Sequence, residues 1–433
     1  MSALTSALEG LVRIVGEANL LTATAGVAPY AVEGQTPLAV AFPGTAEEAA
    51  ALLRAASEAK LSVMLRGAGQ HSYLGAPPAP IGLTVSLARL DQIVEYDPED
   101  LTVTAQAGIS LQALQKTVAE HRQMLPLDPP GPEPATLGGI VSANLSGPMR
   151  MRYGSPRDLV IGMRLALSSG HIIKTGGRTV KNVAGYDIGK LFVGSLGSLG
   201  AILEITTRLI PLPEAEATLL TALAPKEAAE IAAWLINSRL EPMSCEIINH
   251  AAAKRLGPRL PVTLVPGHYA LLVGVSGEAE TIARQAREIG ERAAHCRRLD
   301  GEDSRQMWRW ARGLVYPAVD NVQLRVSAPL ASLPDLLALV SSYQGWTGVA
   351  RAGDGLVYAS APAHEGEGSV RAKLAALREK ALSLGGFAVL ESSPAELKRA
   401  FPVWGEIANL DLMRELKRSY DPAGVLGCSR LPV

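Results

Sequence analysis

Residues 66–72, Arg66-Gly67-Ala68-Gly69-Gln70-His71-Ser72, directly follow an apolar run over residues 62–66 that has the pattern of a β-strand. Glycines in that position let successive backbone N–H groups approach an anion and cradle it, typically a pyrophosphate. Each charge-assisted bond of that kind contributes ~1.5–3 kcal/mol. The spacing is not the dinucleotide fingerprint of a Rossmann unit. A third glycine is missing, and the following SYLGAPPAP cannot start a helix. Taken alone, a G-x-G after a strand is more often a simple tight turn.

Two further segments shift the balance toward a ligand. Residues 135–144, ATLGGIVSAN, place a hydroxyl, two glycines, a second hydroxyl and an amide at a loop-to-helix entry. Glycine N–H groups and a helix N-terminus suit a phosphate or a flavin edge, although close helix packing explains the glycines almost as well. Residues 181–187, KNVAGYD, are followed by GSLGSLG at 194–200. Each glycine inside a helix costs ~1 kcal/mol relative to alanine, so the close approach of a ligand is the better reading of so many.

The elements that must position these loops follow from periodicity and end signals. A helix is predicted near residues 5–16, a strand at 38–42, and a helix opening at Thr45 with Glu48 completing a capping box. The strand at 62–66 then makes a βαβ opening. Strands at 90–96 and 101–105 flank the turn Asp97-Pro98-Glu99-Asp100. Ser110 caps a helix over 111–121, a small-residue helix ends near Leu145, and strands follow at 158–167, 171–175 and 201–210. Residues 211–214 mark a boundary. Beyond it, strand-like runs (219–223, 245–248, 270–276, 322–326, 355–359, 387–390) alternate with helices at 225–237, 278–296, 333–342 and 369–384, which predicts an α+β unit with an antiparallel sheet. The sequence shows no internal repeat.

Bulk properties exclude several classes. The chain has 433 residues, too many for one ordinary core, with 48% hydrophobic and 19% charged residues. A net charge of −1 gives no global field to draw in nucleic acid. No apolar run reaches the ~18–20 residues of a membrane-spanning helix, and MSALTSALEGLVRIVG lacks the features of a secretory signal. Cys245, Cys296 and Cys428 are scattered, so neither a zinc site nor an iron–sulfur cluster is expected from this chain. They read as ordinary thiols of a cytoplasmic protein.

With these loops in view, residues 37–213 resemble the FAD-binding domain of the vanillyl-alcohol oxidase (PCMH-type) family. Within them, GGRTVKNVAGYDIGKLFVGSLGSLGAILEITTRLIP is similar to the signature of glycolate oxidase subunits, and the terminal DPAGVL resembles that family's closing motif. The resemblance implies a non-covalently bound FAD. Relatives that tether the flavin place histidine directly after the second glycine of the loop, where this chain has Gln70, with His71 one residue late. It implies a pyrophosphate loop on Arg66, Gly67, Ala68, Gly69, Gln70, His71 and Ser72, and further contacts from Pro129, Thr136, Gly138, Gly139 and Ser142. Tyr153, Gly154 and Asp158 match a family stretch near the cofactor. Gly200 and Ile202 match the strand edge near the adenine end, and Lys181, Asn182 and Tyr186 match a further motif. The implied fold is α+β: an N-terminal helical segment (1–36), a PCMH-type FAD domain of two α/β subdomains (37–214), a ferredoxin-like cap (215–392) and a helical segment returning to the FAD domain (393–433).

The catalytic relatives of that family flank Gly-Asp-Gly with histidines and add a Glu-His-Gly, together holding a divalent metal. Here the stretch is Ala352-Gly353-Asp354-Gly355-Leu356-Val357-Tyr358, with no histidine in it, and no Glu-His-Gly triplet occurs. Leucine also replaces the glutamate of their Gly-Ser-Glu-Gly in Gly194-Ser195-Leu196-Gly197. The seven histidines include no pair at metal-ligand spacing on one element, so no metal is expected. These departures resemble the E-type subunit of bacterial glycolate oxidase (glycolate dehydrogenase) complexes. The implied partners are a catalytic D-type flavoprotein and an iron–sulfur F-type subunit, with glycolate or a similar 2-hydroxy acid as the substrate of the complex and peripheral attachment to the inner membrane through it. Two other functions compete. One is a self-sufficient FAD oxidase using Arg325, Arg351 or Tyr358 to hold a carboxylate; the other is a non-enzymatic scaffold without cofactor.

Overall fold

A computed structural model describes residues 3–177, 187–293, 295–318 and 321–433; Lys181, Asn182 and Tyr186 lie outside them. After the helix Ala3–Val15, a four-stranded sheet is built from β1 (Leu20–Leu21), β2 (Ala39–Ala41), β3 (Val63–Arg66) and β4 (Leu83–Ser86) in the order β1-β2-β4-β3. β2 and β3 both run parallel to β4. The connecting helix Ala46–Glu58 buries Ala49, Leu52, Leu53 and Ala56, a helical-period stripe against the sheet. Thr45 Oγ1 accepts the Glu48 N–H at 3.1 Å. The return half of the expected capping box is displaced, because Glu48 Oε2 accepts from Gly44 N–H instead of the Thr45 amide.

The second sheet is antiparallel and contains β5 (Ile93–Asp97), β6 (Thr102–Gln106), β8 (Val160–Ala166), β9 (Ile172–Gly176) and β10 (Ala201–Arg208), ordered β5-β6-β10-β8-β9. A two-stranded ribbon pairs β7 (Gln123–Met124) with β11 (Ile210–Pro211). The expected hairpin closes at Asp97, whose Oδ1 accepts the N–H groups of Glu99 and Asp100. Ser110 caps the helix Leu111–Ala119 through the Ala113 N–H. The strand expected from residue 158 starts at Val160. Asp158 belongs to the short helix Pro156–Leu159, where its carboxylate accepts both the N–H and the hydroxyl of Ser155 at 2.8 Å.

One eight-stranded antiparallel sheet follows: β12 (Ala215–Leu223), β13 (Ser244–Ile248), β14 (Tyr269–Gly277), β15 (Arg297–Asp300), β16 (Gln323–Ser327), β17 (Thr347–Arg351), β18 (Leu356–Ser360) and β19 (Phe387–Ser392). The order β15-β12-β14-β13-β17-β18-β16-β19 resolves into two βαββαβ units, each ferredoxin-like, joined edge to edge where β13 pairs β17. The cap is thus a structural duplication that the sequence does not display. Periodicity missed β15 and β17, and also the helices His250–Leu256 and Gly301–Leu314. One face of the sheet is covered by the helices Pro225–Asn237, Ala279–Arg292, Leu333–Ser342 and Glu367–Ser383. The other packs on Met307, Trp308 and Ala311 of the helix Gly301–Leu314, with Met149 and Tyr153 reaching over from the first half.

The chain ends where it began. Val63 N–H donates to Val425 O at 2.7 Å, and Leu426 bridges Val63 in parallel, so the C-terminal segment extends the exposed edge of β3. Lys417 Nζ secures it by donating to Ser198 O and Leu426 O. The architecture is α+β, as expected.

Candidate functional site

The loop 66–72 leaves the carboxyl end of β3, a parallel strand, which is where open α/β sheets place their ligands. Its conformation has no room for side chains at two positions. A Cβ on Gly67 would sit 2.0 Å from Thr136 Oγ1, and Gly69 has φ +79° with the Arg66 guanidinium 2.4 Å from where its Cβ would be. Thr136 is also the N-cap of the helix Leu137–Ser142, its Oγ1 accepting the Gly139 N–H. The two glycine segments singled out in the sequence therefore pack directly on each other.

Between them runs a groove. Its central part is lined by Arg66, Gly67, Ala68, Gly69, Gln70, His71 and Ser72 on one side and Thr136, Gly139 and Ser142 on the other. One end continues past Gly138, Gly197, Gly200 and Ile202 into the gap between the first two sheets. At the other end Leu74, Ala143 and Leu196 are shared with a cavity of about 260 Å³ beneath the cap. Three hollows thus join into one elongated channel suited to an extended dinucleotide. Arg66 stacks on Tyr30 with its guanidinium carbon 5.0 Å from the ring centre, and burial lowers its pKa.

His71 is committed to structure. Nε2 lies 2.9 Å from Pro130 O, and its ring packs against Tyr73 and Tyr316 at centroid distances of 5.7 Å. Burial pulls its pKa down, against the opposing pull of the Pro130 carbonyl. Tyr316 reaches from the cap to donate to Gln70 O at 2.8 Å.

Several expected site residues are not in the channel. Pro129 is next to it, but Pro130 lines it. Tyr153 meets the cap through Ser276 Oγ at 3.3 Å, while Gly154 and Asp158 form the Ser155-capped turn described above. Residues that sequence reasoning missed include Leu74, Ala107, Leu196 and Arg430. Arg430 carried no signal, being a lone arginine in the C-terminal loop.

The cap side of the 260 Å³ cavity presents Arg325, Tyr358 and Glu391, and Trp404 joins them from the C-terminal segment. Arg325 Nε donates to Glu391 Oε1 at 2.6 Å, so that cation has a counter-charge already. Arg351 is buried behind Tyr358 and bonds Glu246 Oε1 at 3.2 Å, Ser146 O at 2.7 Å and Tyr358 Oη at 3.3 Å. It joins the cap to the first half of the chain. Burial raises the pKa of its neighbours Glu246, to about 7, and Asp128, to about 6, with Arg351 opposing in each case. Among the described residues no group of three His, Cys, Asp or Glu is placed to hold a metal ion, and no helix is long and apolar enough to cross a membrane.

Comparison with known proteins agrees with this geometry. Residues 37–176 match the FAD binding domain family. Over 98% of its length the chain is 27% identical to the glycolate oxidase subunit GlcD of Bacillus subtilis, covering 96% of that protein. It is 38% identical to the glycolate oxidase subunit GlcE of Escherichia coli over a shorter stretch, 42% of this chain and 51% of that one. The crystal structure of p-cresol methylhydroxylase superposes with a TM-score of 0.76 at 15% identity, over 97% of this chain and 95% of that one. The chain has the p-cresol methylhydroxylase-type FAD-binding fold, and it binds FAD. It is an FAD-dependent oxidoreductase, which sets aside the cofactor-free scaffold.

Proposed function

We propose that the chain is the E-type, FAD-carrying subunit of a glycolate or related 2-hydroxy acid oxidase/dehydrogenase complex. In this reading it serves electron transfer or assembly beside a catalytic D-type flavoprotein and an iron–sulfur F-type subunit, attached peripherally to the inner membrane through them. Bound FAD would supply an acceptor for two electrons, taken up as a hydride. The loop Arg66–Ser72, with Thr136, Gly138, Gly139 and Ser142, would hold the pyrophosphate. Gly200 and Ile202 would line the adenine end, and the cavity under the cap would take the flavin. The functional units are 37–214 for the cofactor and 215–392 for the cap, with 1–36 and 393–433 closing onto them.

The observation that carries this reading is the Arg325–Glu391 pair. Two arginines line the cavity, Arg150 from the first half and Arg325 from the cap; Arg325 is neutralised by its own carboxylate, so a substrate carboxylate would have to displace Glu391 to pair with it. Oxidation of a 2-hydroxy acid also requires removal of the hydroxyl proton by a base within hydrogen-bond reach. Asp354, in the Gly-Asp-Gly stretch, has no histidine beside it in the sequence. The 38% identity with GlcE supports the same reading. A self-sufficient oxidase is favoured by one fact: Arg325 and Tyr358 do line the cavity, and Arg150 lines it with them.

Anaerobic stopped-flow on the purified chain separates the two. Under glycolate or lactate the flavin is expected to stay oxidised, with turnover appearing only after a D-type partner and an iron–sulfur subunit are added. Rapid bleaching by a 2-hydroxy acid without partners would establish the self-sufficient oxidase instead.

The flavin is held without a covalent bond in this reading, since His71 is engaged with Pro130 and two tyrosine rings. Acid denaturation is expected to release all yellow colour into the supernatant. Flavin fluorescence retained on a peptide containing His71 would refute the non-covalent assignment.

A further inference from the structure

Three stretches far apart in sequence converge beside the channel. Glu33 comes from the N-terminal segment and carries φ +47°. Lys398 comes from the helix Ala395–Ala400, beyond the cap, and Arg430 from the C-terminal loop. Lys398 Nζ donates to Glu33 Oε1, to Tyr73 O and, at 3.2 Å, to Gly75 O. Arg430 Nη1 lies 3.5 Å from Glu33 Oε2, while Nη2 donates to Ser72 O and Leu74 O. The carbonyls of residues 72–75, which continue directly from the glycine loop, are thus gripped one after another by two buried cations.

The charges do not balance. Lys398 and Arg430 share the single carboxylate of Glu33 among the described residues, and both side chains are buried, at 0% and 4% exposure. An uncompensated buried cation is costly unless something completes its pairing. Arg430 itself lines the central part of the channel, on the same stretch as Arg66, which makes no ion pair among the described residues. A dianionic pyrophosphate in that stretch would supply the missing negative charge.

The geometry points to Glu33, Lys398 and Arg430 as a positioning cluster. Its excess positive charge is completed by the cofactor pyrophosphate, so that FAD binding and docking of the C-terminal segment stabilise each other. This rests on the assignment of FAD to the channel. The coupling must be reciprocal: if the docked Arg430 tightens FAD binding, FAD must hold residues 425–430 in place by the same factor. Ala76 N–H donates to Arg430 O and Ala79 N–H to Cys428 O, so those two amides report the docking.

The test uses apoprotein stripped of flavin and titrated with FAD at several salt concentrations. Arg430→Gln is expected to weaken FAD binding by on the order of ten- to a hundredfold, the value of one charge-assisted bond, and to flatten the salt dependence. Arg430→Lys should lie between it and the wild type. Glu33→Gln removes the counter-charge and should leave FAD affinity equal or tighter. A merely structural cluster predicts that Glu33→Gln and Arg430→Gln both weaken binding, and that outcome overturns the inference. So does an unchanged dissociation constant and salt slope in Arg430→Gln. Hydrogen exchange at Ala76 and Ala79 should slow when FAD is added to the wild type and respond less in Arg430→Gln. Wild-type apoprotein that fails to take up FAD, or a Gly69→Val variant that takes it up normally, would instead sink the channel assignment itself.

Discussion

Gly69→Val is expected to purify without yellow colour, while circular dichroism shows the strands and helices of the cap intact. Two effects act together. At φ +79° a β-branched residue is strained by more than 1 kcal/mol. The new Cβ would also lie within 2.6 Å of three atoms of the Arg66 guanidinium. Arg66 would have to leave its place over Tyr30, and the loop could no longer aim its amides at one point. Losing two or more charge-assisted bonds corresponds to roughly a hundredfold or greater loss of FAD affinity. The cap core is built from other residues and should survive. The measurement is the 450 nm absorbance per chain after purification, and a full complement of FAD in the variant would show that the loop does not hold the pyrophosphate.

Arg351→Met is expected to loosen the join between the cap and the rest of the chain. It removes the bond to Ser146 O and leaves Glu246, 1% exposed, without its ion partner, when Glu246 Oε2 already lacks one. Breaking a buried pair in this way costs about 3–5 kcal/mol, which for a chain of 433 residues corresponds to a fall in Tm of roughly 3–6 °C. The pH dependence has a defined sign. Glu246 and Asp128 have folded pKa values of about 7 and about 6, raised from 4.5 and 3.8 chiefly by burial. In that window the folded state holds protons that the unfolded state releases. The stability they contribute is full below the unfolded values and is lost as pH rises through about 6 to 7. Tm is therefore expected to fall from pH 5 to pH 8, and the deficit of Arg351→Met to shrink toward pH 5 as Glu246 takes up a proton. Glu246→Gln should flatten the wild-type slope; an unaltered slope in that variant would remove Glu246 from the account.

What the sequence determined by itself was local. The caps at Thr45 and Ser110 and the hairpin turn at Asp97 are read correctly because each depends on groups within a few residues. Long apolar runs such as β14, buried along nearly its whole length, announce themselves for the same reason. The tertiary structure decided whatever depends on partners remote in sequence. β15 (Arg297–Asp300) is an exposed, charged edge that is a strand only because β12 pairs with it. β17 contains a glycine and ends in an arginine, and it is a strand because it lies between β13 and β18. Asp158 matched a motif near the cofactor, yet its carboxylate is taken up by Ser155. Arg351 read as a candidate substrate clamp, and packing assigned it to the join beneath the cap. Arg430 had no local pattern to mark it, since its place beside the channel exists only when the C-terminal segment pairs with the edge of β3. Hydrophobic period and capping act over a turn or two of chain, whereas the channel is made where distant strand ends, helix N-termini and buried charges meet.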